Sequence, residues 1–128
     1  MLLKRVVARK IPDSRGEDTI EVSINGQRAS SPSGESTGKY ETPCYHKSLE
    51  WNVKAINSLI LDFEIHFFQD LKKLEFHIKK KFKLKDVKQF GANALFALES
   101  AILKALAKSQ GKQLWQIIDP NAKKIPIS

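Results

Sequence analysis

Thr19-Ile20-Glu21-Val22-Ser23-Ile24-Asn25-Gly26-Gln27-Arg28-Ala29-Ser30 is the stretch that decides the fold. Ile20, Val22 and Ile24 alternate with polar neighbours, the pattern of a strand with one buried face. Asn25-Gly26 follows at once, and this dipeptide tolerates the positive φ that closes a tight hairpin. Gln27 to Ser30 is then the short return strand. Upstream, residues 3–11 mix apolar and basic side chains without clean alternation. That predicts a further strand whose faces the pattern does not assign. So small an antiparallel sheet needs helices on one face to be stable.

A helical period takes over downstream. Ser48 is placed to cap a helix carrying Leu49, Val53, Ile56 and Ile60 on one face. A second helix carries Phe67, Leu71, Leu74 and Ile78 at the same spacing. Asp62 and Glu64 near its start and Lys79-Lys80-Lys81 near its end both suit the helix dipole. A third helix runs from about Ala92 to Ser109 and buries Leu95, Leu98, Ile102, Ala105 and Leu106, with Gly111 as its stop. A short fourth, from Lys112 to Ile118, packs Leu114, Trp115 and Ile118 inward. Strands first and helices afterwards is the α+β pattern. The reading is one domain over 1–128: a β meander in 1–31, a loop in 32–47, a helical part in 48–118 and a tail in 119–128.

The 128 residues are enough to bury a core, and 41% hydrophobic with 28% charged residues fits a soluble globular class. No apolar run reaches the length of a membrane span, so no membrane partner is expected. Met1-Leu2-Leu3-Lys4-Arg5 has its apolar pair ahead of its basic residues, the reverse of a signal peptide. A single cysteine makes no internal disulfide, and a cytoplasmic location is the expectation. The net charge of +8 is unevenly spread. Lys72, Lys73, Lys79, Lys80, Lys81, Lys83, Lys85 and Lys88 face only Glu75 and Asp86, a local balance of +6. Such an excess favours anionic partners.

The loop Pro32-Ser33-Gly34-Glu35-Ser36-Thr37-Gly38 matches the G-x-S-x-G nucleophile elbow in letters, but the segment after it holds Pro43 and no strand–helix alternation. It is also one residue short of a P-loop, and Tyr40 stands where a magnesium-binding hydroxyl is needed. Taken with Val7-Ala8-Arg9, Asp13-Ser14-Arg15-Gly16, Thr19-Ile20-Glu21-Val22, Glu41, Val53-Lys54-Ala55-Ile56-Asn57 and Gly91-Ala92-Asn93-Ala94, the loop resembles the N-terminal domain of enolase. The resemblance implies a three-stranded antiparallel meander followed by a helical bundle of about four helices. It also implies a part in the dehydration of 2-phosphoglycerate to phosphoenolpyruvate. In enolases the base, the acid, the metal-binding carboxylates and the phosphate-binding residues belong to a C-terminal barrel domain.

What the resemblance assigns to this chain is narrower. Gly34, Glu35, Ser36, Thr37 and Gly38 form a lid loop, and Ser36 contributes a hydroxyl to a magnesium ion that a barrel domain would complete. Arg9 and Glu21 fall where enolases make ion pairs with a neighbouring subunit. Glu35 departs from the family's small residue, and its carboxylate is expected to repel an anionic substrate more than to attract the metal. Lysine-rich residues 79–88 replace a polar turn. Elsewhere, Cys44-x-His46 has no second pair to complete a zinc site, and His66 and His77 are too far apart to chelate one ion.

Two readings follow. One is a capping and dimerisation domain, inactive alone, that serves a barrel supplied by the same gene or another chain. The other is a stand-alone non-catalytic domain that binds a protein complex or RNA through its lysines. A trimmed chain, a split gene and an independent protein all agree with a sequence ending at Ile125-Pro126-Ile127-Ser128. Among the aromatic residues near the lysines, Phe67 fits the buried stripe, leaving Phe76 and Phe82 for the surface.

Overall fold

The computed structural model describes residues 1–3, 6–12, 15–31, 45–61 and 64–118. Strands β1 (Val6–Pro12), β2 (Asp18–Ile24) and β3 (Gln27–Ser30) form an antiparallel meander in the order β1-β2-β3. Ala8 lies opposite Val22 and Arg9 opposite Glu21, while Ile24 meets Gln27 at the hairpin. Asn25 and Gly26 have φ of 50° and 85°, the doubly positive turn the dipeptide favours. Ile20, Val22 and Ile24 are buried. On β1, Val6 and Ala8 point inward and Val7 and Arg9 outward, an assignment the sequence pattern leaves open.

Helix α1 (Leu49–Asn57) starts where Ser48 Oγ accepts a 3.0 Å hydrogen bond from the amide of Trp51. It packs on β1, and its last residue explains both its end and the edge of the sheet. Asn57 Oδ1 accepts from the Ala8 amide at 2.7 Å, and Asn57 Nδ2 donates to the Ala8 carbonyl at 2.9 Å. One side chain thus satisfies both main-chain groups as a neighbouring strand would, which closes an edge otherwise open to pairing. Ser58 takes the C-cap, so Ile60 lies beyond the helix and is 77% exposed instead of buried.

Helix α2 (Leu71–Lys81) begins later than its apolar spacing predicts. Asp70 accepts hydrogen bonds from the amides of His66 and Phe67, at 2.8 and 3.1 Å, and holds that segment extended. Glu64 pairs with Leu2 in an isolated bridge, and the Ile65 amide donates to the Met1 carbonyl. Phe67 is therefore 64% exposed, not part of the inward stripe, which is Leu71, Leu74 and Ile78. The far end closes in a Schellman turn: Leu84 donates to Lys79 at 2.9 Å and Lys83 to Lys80 at 3.4 Å. Lys83 adopts φ 55° there, at a position that usually goes to glycine.

Helix α3 (Ala92–Gln110) is about 28 Å long and lies against β2 and β3. Ala94, Ala97, Ala101 and Ala105 keep its buried side narrow, and Leu98, Ile102 and Leu106 fill the space between. Small residues at helical spacing let backbone approach backbone, so the larger side chains interlock at interior density. Leu95 is half-buried. Gly111 ends the helix with φ 64°, a left-handed cap. In α4 (Leu114–Ile118) the inward residue is Ile117, while Leu114 is 39% exposed. The side chains of Trp115 and Ile118 lie outside the described residues.

Candidate functional site

Among the described residues, the sheet face turned away from the helices carries Arg9 and Glu21 side by side. Their register places them opposite each other, and Arg9 Nε meets Glu21 Oε1 at 2.7 Å. The arginine is more than half exposed and the glutamate mostly covered. An ion pair open to solvent adds at most about 1 kcal/mol to stability.

Both roots of the Pro32–Cys44 segment are pinned. At the first, Ser31 donates its amide to the Ile20 carbonyl, and its hydroxyl lies 2.7 Å from that of Thr19, both buried. At the second, the His46 amide donates to Asn52 Oδ1 at 2.7 Å, and His46 Nδ1 lies 2.7 Å from the Gln89 carbonyl. A carbonyl only accepts, so Nδ1 carries the hydrogen. The His46 ring stands 4.5 Å from Trp51, which meets Phe82 and Phe90 edge-on. Asn52, fully buried, also donates from Nδ2 to the Phe90 carbonyl at 2.8 Å. The sequence carries a signal for this residue: Asn52 sits three positions after Leu49 on the apolar stripe of α1, where a polar side chain requires partners.

Gly34, Glu35, Ser36, Thr37, Gly38 and Cys44 lie outside the described residues. Among the described residues no group of three or more His, Cys, Asp or Glu side chains could hold a metal ion.

The eight lysines do not form one surface, although all are exposed. Lys72, Lys79 and Lys85 border a shallow cleft with Phe76 and Val87. Lys80 and Lys81 flank another beside Ile60 and His77, and Lys81 Nζ donates to the Ser58 carbonyl at 2.7 Å. Lys73 pairs with Asp70 at 3.6 Å. Phe82 is half-buried among aromatic rings, which leaves Phe76, 67% exposed, as the surface aromatic of the pair expected there.

One feature of the helices has no counterpart in the sequence reading. Glu75 of α2 and Glu99 of α3 meet at a cleft of about 440 Å³ lined also by Phe68, Gln69, Leu71 and Lys72. Burial first, and then hydrogen bonding to Glu75 and its charge, push the Glu99 carboxyl up from 4.5 to about 8. Two carboxyls in an apolar setting cannot both ionise cheaply, so Glu99 holds its proton at neutral pH. The two residues are far apart in sequence and meet only through helix packing.

The chain matches the enolase N-terminal domain family over residues 3–118. The chain belongs to that family. It is 31% identical to the enolase of Thermococcus kodakarensis over 142 aligned positions, covering 98% of this chain. It is also 31% identical to that of Thermococcus gammatolerans, over 95% of its length. In both cases it spans 32% of the relative, about a third of an enolase. The three-stranded meander with helices behind it is the α+β architecture that the enolase resemblance implies. No helix among the described residues is long and apolar enough to cross a membrane.

Proposed function

We propose that this enolase N-terminal domain acts in the cytoplasm as the capping and docking unit of a 2-phosphoglycerate dehydratase, and is catalytically silent without a barrel domain. The observation that carries the reading is the family match over residues 3–118 in a chain one third the length of its enolase relatives. The lid loop Gly34–Gly38 is its contribution to the active site. Magnesium belongs to the completed enzyme, where Ser36 would add one hydroxyl to carboxylates from the barrel. The pinned roots at Ser31 and His46 support this role, since a loop that closes over substrate needs fixed ends. The free sheet face, with Arg9 and Glu21, docks against a neighbouring subunit.

The docking claim is tested by exchanging the two charges. The double variant Arg9→Glu/Glu21→Arg keeps a cross-strand ion pair but reverses its polarity towards a partner. Thermal stability should stay within about 2 °C, because exposed pairs contribute little. Association with the barrel portion of the Thermococcus kodakarensis enolase, followed by sedimentation, should weaken about tenfold, since like charges would then oppose each other. Equal association of parent and variant, or none by the parent, contradicts the docking assignment.

A further inference from the structure

We infer that the cleft between α2 and residues 85–87 binds single-stranded nucleic acid, with an unpaired base stacked on Phe76 and phosphates held by Lys72, Lys79 and Lys85. This is independent of any barrel partner. Phe76 is 67% exposed in the outward face of a helix whose other side is fully used by Leu71, Leu74 and Ile78. The Schellman turn at Phe82–Leu84 reverses the chain, and Lys85 and Val87 return beside Phe76. The result is an open cleft of about 310 Å³ lined by Lys72, Lys79 and Lys85, by Phe76 and Val87, and by Glu75 and Asp86.

Two carboxylates, Glu75 and Asp86, line the same cleft. Asp86 caps the turn Val87–Phe90, accepting from the Lys88 amide at 2.9 Å, and Glu75 is drawn towards Glu99. Among the described residues, none of Lys72, Lys79 and Lys85 pairs with a carboxylate. Three ammonium groups against two carboxylates leave a positive excess around an exposed ring, which suits a strand that offers phosphates and free bases together. A duplex keeps its bases stacked and offers Phe76 nothing. An acidic protein would meet the lysines without needing the ring.

The probe is a fluorescent oligouridylate followed by anisotropy with the full 128-residue chain, across a salt series. Each phosphate that a lysine neutralises on a single strand adds roughly 0.7 to the slope of log affinity against log salt. Lys72→Gln/Lys79→Gln/Lys85→Gln should therefore flatten that slope by about 2. Phe76→Ala should weaken binding about tenfold and leave the slope unchanged. The control Lys80→Gln/Lys81→Gln alters the other face and should leave binding within about threefold of the parent. All these side chains are exposed, so the variants keep the fold. The inference is overturned if the parent does not bind, if Phe76→Ala binds like the parent, or if the control variant is weakened as much as the triple variant. Equal affinity for a duplex, or equal competition by polyglutamate, also overturns it.

Discussion

Asn52→Ala is expected to cost about 3 kcal/mol and lower the melting temperature by about 10 °C. The side chain is fully buried and serves two main-chain groups, the His46 amide and the Phe90 carbonyl. Removing it leaves a donor and an acceptor unpaired, each at roughly 1–3 kcal/mol, and a small cavity besides. Asn52→Asp separates the contributions. Its carboxylate still accepts from His46 but faces the Phe90 carbonyl with a lone pair, so it should be no better than alanine. The consequence reaches the candidate lid, because His46 is the root of that segment. A loss below about 1 kcal/mol for Asn52→Ala, by thermal and urea unfolding together, would contradict this role for Asn52.

The second large effect is a fall in stability as pH rises. Glu99 has its carboxyl raised from 4.5 to about 8 in the folded chain, so folding retains a proton that the unfolded chain releases. The protonated form is favoured by the native state, and its contribution is complete below pH 4.5. It is lost as pH climbs through the interval up to about 8. Solvent reaches the rim of the cleft and screens the pair, so the loss is about 2 kcal/mol and not the full value of the shift. Glu99→Gln keeps the shape and the hydrogen-bonding capacity without the ionisation. It should remove this part of the slope and be the more stable protein at about pH 8. Lys72 and Glu75 are the charged groups facing Glu99 in the cleft, and neither is altered. Unfolding by urea at about pH 5, 7 and 8.5 reads the difference. Parallel stability curves for parent and variant would show that Glu99 ionises normally.

The parts of the fold legible in the sequence are those where one local rule acts alone. Alternation at Ile20, Val22 and Ile24 followed by Asn-Gly places the hairpin, and Ser48 and Gly111 mark helix ends by their own chemistry. Misreadings occur where a side chain from another element intervenes. Ile60 continues the period of α1, but Asn57 is engaged by β1 and the helix stops there. Phe67 continues the period of α2, but the Asp70 carboxylate captures two amides before it. A helix-spacing count sees neither event. The same limit applies to the site. Arg9 and Glu21 could be selected from the sequence by resemblance, whereas their mutual ion pair follows from strand register. Eight lysines in one run look like one surface, yet α2 turns Lys72 and Lys79 to one cleft and Lys80 and Lys81 to another, and the turn at Lys83 returns Lys85 to the first. Glu75 and Glu99 become neighbours only when α2 and α3 pack.

The most direct measurement is turnover of 2-phosphoglycerate by three proteins with magnesium present: this chain alone, a chimera joining it to the barrel portion of the Thermococcus kodakarensis enolase, and the same chimera with Ser36→Ala. The account predicts no phosphoenolpyruvate from the chain alone, measurable formation by the chimera, and a loss of about tenfold or more on removing the Ser36 hydroxyl. Turnover by the isolated chain, or a folded chimera that makes no product, would contradict it.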